Sequence, residues 1–248
     1  LAKIDVVYLR ASERMWEVGG AMTELGYDDL YRLMASMTGD EKHAEAASST
    51  LDVLWVLYDR VLRVGLDLAA ERDRFYLSKG HGPMAYYAVL AAKGFLDPAE
   101  FDRFGSYHSP LGHHPDRLLV PGVEISSGSL GHGLPLAVGT ALGLRARGLS
   151  STRLWVLLGD GELDEGSNHE AIAYAGRSRL DRLNVVVIDN DNATQGWPGG
   201  LETRFAAEGW ATARVDGRDH TELEAAFTAP HPGRPAVVVA KVEHSPSH

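Results

Sequence analysis

Residues 153–196, RLWVLLGDGELDEGSNHEAIAYAGRSRLDRLNVVVIDNDNATQG, constrain the fold more than any other stretch of the chain. Two apolar runs, residues 154–158 and 185–188, each end in acidic or amide residues. The first runs into Gly159-Asp160-Gly161 and the second into Asp189-Asn190-Asp191-Asn192. Residues 167–177 between them read as a helix. Strand, helix and strand joined by short turns make a βαβ unit, so the two strands run parallel and their tips point the same way. Ligands in such sheets bind at the carboxyl ends of the strands. Asp160 and Asn190 are therefore expected in one crevice. A carboxylate, an amide oxygen and a backbone carbonyl are hard donors that suit Mg²⁺, and flanking glycines let a diphosphate come close to the backbone. Read alone, these residues equally fill an ordinary turn, since Asp, Asn and Gly dominate turns.

The rest of the chain narrows the class. Its 248 residues suit one α/β domain. No apolar run approaches bilayer-spanning length, and the opening LAKIDVVYLRASERM is amphipathic with acidic residues, unlike a secretory leader. The chain has no cysteine, which removes disulfides, thiolate metal sites and cysteine nucleophiles and fits a reducing, cytoplasmic setting. A formal charge of −10 without any basic run argues against nucleic acid as a partner.

Residues 1–70 read as a helical amino-terminal part and residues 71–248 as an α/β core, together one domain with a doubly wound, mainly parallel sheet flanked by helices. Val6, Leu9, Met15 and Trp16 lie at near-helical spacing, as do Leu30, Leu33, Met34 and Met37. Ser49-Thr50 is expected to cap the run LDVLWVLYDRVLRV. His43 precedes that run, a place where a histidine is ordinarily a solvated surface residue. In DRFYLSKGHG a short strand is expected to run into His81, whose flanking glycines leave its imidazole accessible; a capping or core histidine is the alternative. Pro83 then opens a helix, and residues 94–105 read as a connector. His113 and His114 precede Pro115 in an extended loop. Gly128-Ser129-Leu130-Gly131-His132-Gly133 is a glycine-rich turn opening an apolar helix. It can read a flat heterocycle through its backbone or simply pack tightly. Further strands are expected at residues 211–215 and 236–242.

Together these segments resemble the amino-terminal half of transketolase, in particular the separate small subunit of split transketolases. Residues 77–81 match the family's LSxGH. His114-Pro115, residues 121–124 and residues 128–133 match GHP, PGVE and GxLGQG. Residues 159–166 match GDGxxxEG, Asn190 matches the metal-binding Asn, and Gly196 closes that loop. The likeness runs from about residue 37 to residue 242. The family's GHPGG is replaced by Lys42-His43-Ala44-Glu45-Ala46. Its Gly-His-Pro becomes His113-His114-Pro115, the Gln of GxLGQG is His132, and the usual tail with a further histidine gives way to AKVEHSPSH.

The resemblance implies thiamine diphosphate and Mg²⁺ as cofactors. The metal ligands would be Asp160, Asn190 and the backbone carbonyl of Asn192. Gly159 and Gly161 would meet the diphosphate, and Gly128 and Leu130 would hold the aminopyrimidine through their backbones. His81, His114 and His43 suit proton handling, because imidazole titrates near neutral pH, and His81 also belongs to the cofactor-binding set. Glu165 and Glu170 match acidic residues at the family's subunit interface and are grouped with the cofactor site. His113 and His132 are expected to reshape the donor pocket. The implied reaction moves a two-carbon ketol unit from a ketose to an aldehyde. The implied partner is a carboxyl-terminal, pyrimidine-domain subunit supplying the activating Glu, and self-association of this chain is expected too. The alternatives are another thiamine diphosphate enzyme component, of the 2-oxoacid decarboxylase or dehydrogenase E1 type, and a non-catalytic assembly subunit. The SKGH and PGVE segments favour transketolase.

Overall fold

The computed structural model describes residues 25–37, 47–64, 71–193 and 197–243. Strands β1 (Arg74–Leu77), β2 (Leu154–Gly159), β3 (Leu183–Asp189), β4 (Ala211–Asp216) and β5 (Ala236–Lys241) form one sheet in the order β1-β2-β3-β5-β4. All pairings are parallel. Every residue of β2 and β3 is buried, as expected for parallel strands covered on both faces. Their register runs from Leu154 opposite Leu183 to Gly159 opposite Ile188, which brings the two carboxyl tips level.

Strand side chains alternate between two apolar clusters. Leu154, Val156, Leu158, Val185 and Val187 meet α4 (Gly133–Ala146), α5 (Gly166–Arg177) and α6 (Leu201–Ala206). Trp155, Leu157, Val186 and Ile188 meet α1 (Tyr27–Ser36), α2 (Leu51–Val56), α3 (Met84–Ala92) and α7 (His220–Thr228) on the other face. The chain crosses from β2 to β3 to β4 through α5 and α6 on one face, then doubles back to β5 through α7 on the other. Right-handed crossovers require that change of face when the direction reverses. The doubly wound parallel sheet read from the sequence is the observed fold.

Several local expectations change. Thr50 precedes α2, yet its hydroxyl donates back to the Ala47 carbonyl at 2.8 Å and makes no cap bond. The apolar run is not one α-helix: α2 gives way to a π-helical turn at Leu57–Val61. Strand β1 stops at Leu77, because the amides of Ser78 and Lys79 both turn to the Leu157 carbonyl, so His81 sits in a loop beyond it. The 94–105 connector contains a 3₁₀ turn, Pro98–Arg103, capped by the Asp97 carboxylate accepting from the Ala99 amide at 2.9 Å. Leu30 and Met37 are buried with Leu33 and Met34 packed against them. Val6, Leu9, Met15, Trp16 and His43 lie outside the described residues.

At the amino ends of β1 and β2, Asp73 is completely buried. It accepts from the Arg63 guanidinium at 2.8 Å, the Arg153 guanidinium at 2.5 Å and both of their backbone amides. Burial by itself would raise this carboxyl, but the two arginines outweigh it and hold it below the usual carboxylate range.

Candidate active site

The β2 and β3 tips close on each other through Asp160. Its amide donates to the Ile188 carbonyl at 2.9 Å. Its carboxylate, 2% exposed, accepts from the amides of Gly161 at 2.8 Å, Asn192 at 2.8 Å and Ala193 at 3.3 Å. Burial, with help from the Asp189 carboxylate, raises Asp160 above the ordinary Asp value against those three amides. The second tip reaches back because Asp191 adopts the left-handed conformation (φ 60°), which Asp tolerates better than most residues. Lys241 holds Asp191 at 2.5 Å. Asn190 is buried beside it.

Gly161 leaves the gap between the tips open: a Cβ there would lie 3.2 Å from the Asn192 carbonyl oxygen. Asp160, Asn190 and the Asn192 carbonyl thus gather within two adjoining turns. Among the described residues no cluster of three His, Cys, Asp or Glu side chains is suited to a metal. The donors here are instead one carboxylate, one amide and one carbonyl. Such a set fits a hard octahedral cation whose remaining positions go to phosphate oxygens and water.

A second group forms on the neighbouring loops. The rings of His81 and His114 pack edge to face with centroids 5.0 Å apart. Gly128 lies under His114, in a conformation (φ 139°) that disfavours a side chain, and a Cβ there would fall 2.7 Å from the imidazole. A Cβ on Gly80 would fall 2.7 Å from the Gly128 amide. Of the two adjacent histidines only His114 joins this group. His113 turns onto Phe104, 5.3 Å between centroids, over Gly105. His132 is exposed at the start of α4, and Leu130 is half-buried. Glu165 is exposed but its stem lies against Gly131, where a Cβ would be 2.6 Å away; Glu170 is exposed on α5. Cavities of about 140 and 490 Å³ at the amino ends of β2 and β3 include none of these residues.

Two buried charges of this region are not legible in the sequence. The Lys79 stem crosses Gly159, where a Cβ would be 3.2 Å from its Cδ. Burial brings its ammonium down to about 8, against the pull of Asp160 and Glu162. Glu162 is 2% exposed and accepts from the Ser78 hydroxyl, the Gly131 amide at 3.0 Å and the Gly159 amide at 3.4 Å. In the sequence it looks like a solvated turn residue, but the 3₁₀ turn Gly161–Asp164 rotates it inward. The only signal is an acid and a lysine, each at a variable position inside a motif.

Comparison with known proteins agrees with the fold. The profile of the family described as "Transketolase, thiamine diphosphate binding domain" matches residues 35–242. A Rhodococcoides fascians protein named "Ferredoxin fas2" is 57% identical over 222 residues, covering 89% of this chain and 73% of that protein. One of the subunits of the apulose-4-phosphate transketolase of Actinobacillus succinogenes is 37% identical over 209 residues, covering 80% of this chain and 75% of that protein. The structure of a Pichia stipitis transketolase in complex with sedoheptulose 7-phosphate superposes with a TM-score of 0.73 at 26% identity, over 87% of this chain. This chain spans 35% of that one.

Proposed function

The chain belongs to the transketolase thiamine diphosphate-binding family, and from that premise we propose that it is the cofactor-binding subunit of a two-component, Mg²⁺-dependent transketolase. The observation that carries this reading is the convergence of Asp160, Asn190 and the Asn192 carbonyl at the paired tips of β2 and β3. When bound, thiamine diphosphate supplies the electron sink that ketol transfer needs. The chain's own residues bind, orient and move protons. Asp160, Asn190 and the Asn192 carbonyl would hold Mg²⁺, and Gly161 would let the diphosphate approach the backbone, with Gly159 beside it under the Lys79 stem. The Gly128 and Leu130 backbones would hold the aminopyrimidine. His81 and His114, in contact with each other, exchange protons with the hydroxyl groups of the sugar.

The activating carboxylate and the second wall of the site are assigned to a pyrimidine-domain partner. The Actinobacillus relative, itself named for one subunit of its enzyme, supports that division. The exposed Glu165, just before α5, and Glu170, in its first turns, fit a contact with that partner or a second copy. The test mixes purified chain, thiamine diphosphate, Mg²⁺ and a panel of ketose and aldehyde pairs, with and without the partner. Turnover is expected only with the partner. Robust turnover by the chain alone would overturn the two-component reading.

One observation favours a second reading, in which the assembly would oxidise a 2-oxoacid, CO₂ leaving, the acyl group passing to water and two electrons going to a one-electron carrier: the 57% identical relative is named a ferredoxin. These 248 residues contain no cysteine, so an iron–sulfur cluster held by thiolates lies outside them. Reduction of an added ferredoxin by the assembled protein with 2-oxoacids, and no ketol transfer, would select this reading.

A further inference from the structure

The Glu162 carboxylate sits where three segments of the site meet. Ser78 follows β1, Gly131 and Gly133 lie in and just after the glycine-rich turn, and Gly159 ends β2. Glu162 accepts from the Ser78 hydroxyl and the Gly131 and Gly159 amides. Ser78 in turn accepts from the Gly133 amide at 3.0 Å. Asn168, at the start of α5, fixes the Glu162 backbone by donating to its carbonyl at 2.6 Å. The backbones have no slack: a Cβ on Gly133 would lie 2.2 Å from the Ser78 oxygen and one on Gly131 2.7 Å from the Ser167 oxygen. One buried carboxylate therefore ties the turn carrying Gly128 and Leu130 to the tip carrying Asp160.

We propose that Glu162 is a positioning residue, which fixes the spacing between the aminopyrimidine-facing turn and the metal-facing tip and so sets cofactor affinity and orientation. The proposal rests on the thiamine diphosphate reading above. A carboxylate suits the place because all three of these partners donate to it, and a carboxylate offers two acceptor oxygens and no hydrogen. In Glu162→Gln one of those oxygens becomes an NH₂ group that faces a donor, so at least one tie breaks while size and shape stay constant. Loss of a group that orients metal and cofactor contacts costs about tenfold to a hundredfold in affinity.

The experiment uses the chain assembled with its partner half. Glu162→Gln is compared with the unaltered protein for thiamine diphosphate affinity in Mg²⁺, for kcat at saturating cofactor, and for amide hydrogen exchange over residues 126–134 and 157–162 without cofactor. Affinity should weaken about tenfold or more, and kcat should fall even at saturation. Exchange should rise in those two segments while β3 stays protected. Ser78→Ala should weaken affinity in the same direction, and the double variant should be little worse than Glu162→Gln alone, because both act through one network. Unchanged affinity and kcat in Glu162→Gln overturn the proposal, whether or not exchange rises. If that variant does not fold, Ser78→Ala carries the test with the same outcomes. Absence of cofactor binding by the unaltered assembly is a separate result, seen before any substitution, and overturns the cofactor reading together with this one.

Discussion

The two ends of the same sheet each bury an aspartate, and they treat it in opposite ways. Asp73, at the amino ends of β1 and β2, is gripped by two guanidiniums and two amides, and its carboxyl is held low. Asp160, at the carboxyl end of β2, is met by three backbone amides, with Lys79 and a second carboxylate, Asp189, as nearby charges; its carboxyl is raised. Burial opposes the charged form at both ends. At the first end the chain supplies the compensating cations itself. At the second it supplies oriented dipoles and oxygen donors, an arrangement that the proposed Mg²⁺ would complete. Proteins place such costs at functional sites and offset them elsewhere.

The largest expected effect breaks this contrast directly. Asp160→Ala should lower ketol-transfer activity of the assembled protein by more than about 100-fold, since losing a direct ligand exceeds the loss for an orienting group. Its cofactor-free melting temperature should hold or rise, because a raised carboxyl is removed. Asp73→Ala should do the reverse. It leaves two arginines without their carboxylate and should cost about 2–3 kcal/mol, the low side for a broken buried pair because both guanidiniums reach solvent. Activity per folded molecule should be unchanged, as melting curves and kcat below the transition would show. An activity loss in Asp73→Ala that matches its stability loss would erase the distinction.

A smaller effect sharpens the structural end. Asp73 and Asp52 are both held below the ordinary Asp value. For Asp52 burial pushes upward, and the hydrogen bonds from Tyr27, Arg218 and His220 outweigh it. A carboxyl depressed in the folded state contributes stability that is fully present above its unfolded value, about 3.9, and is lost as pH falls through the folded value. Melting temperature should therefore drop steeply below about pH 4, and less steeply in Asp73→Asn.

The smallest effect separates adjacent histidines. His113 packs on Phe104, whereas His114 packs on His81. His113→Gly should cost about 0.5–1 kcal/mol of stability through the lost ring contact. Thiamine diphosphate affinity should stay as it was. A shift in preference among ketose donors would show that the loop still reaches the donor pocket.

Much of this is readable from the residues alone, for identifiable reasons. Strands buried on both faces leave unbroken apolar runs, so β2, β3 and β5 stand out, and the polar tips stand out against them. The glycines of the site are visible because tight backbone approach admits nothing larger. What is hidden depends on rotation and direction. Whether Glu162 faces in or out is decided by a 3₁₀ turn that has no periodic signature. Which of His113 and His114 joins His81 is decided by where Phe104 lies, close in sequence and in space but unmarked by any pattern. Thr50 has the right residue type for a cap and uses its hydroxyl on Ala47 instead, a competition between local bonds that propensity does not resolve.

The central claim is that the paired tips hold Mg²⁺ and thiamine diphosphate through Asp160. Calorimetric titration of thiamine diphosphate into the assembled protein tests it most directly, run in Mg²⁺ and again in chelator, for the unaltered chain and for Asp160→Ala. The account predicts saturable binding that requires Mg²⁺ and is lost in the variant. Equal affinity in chelator, or in Asp160→Ala, would contradict it.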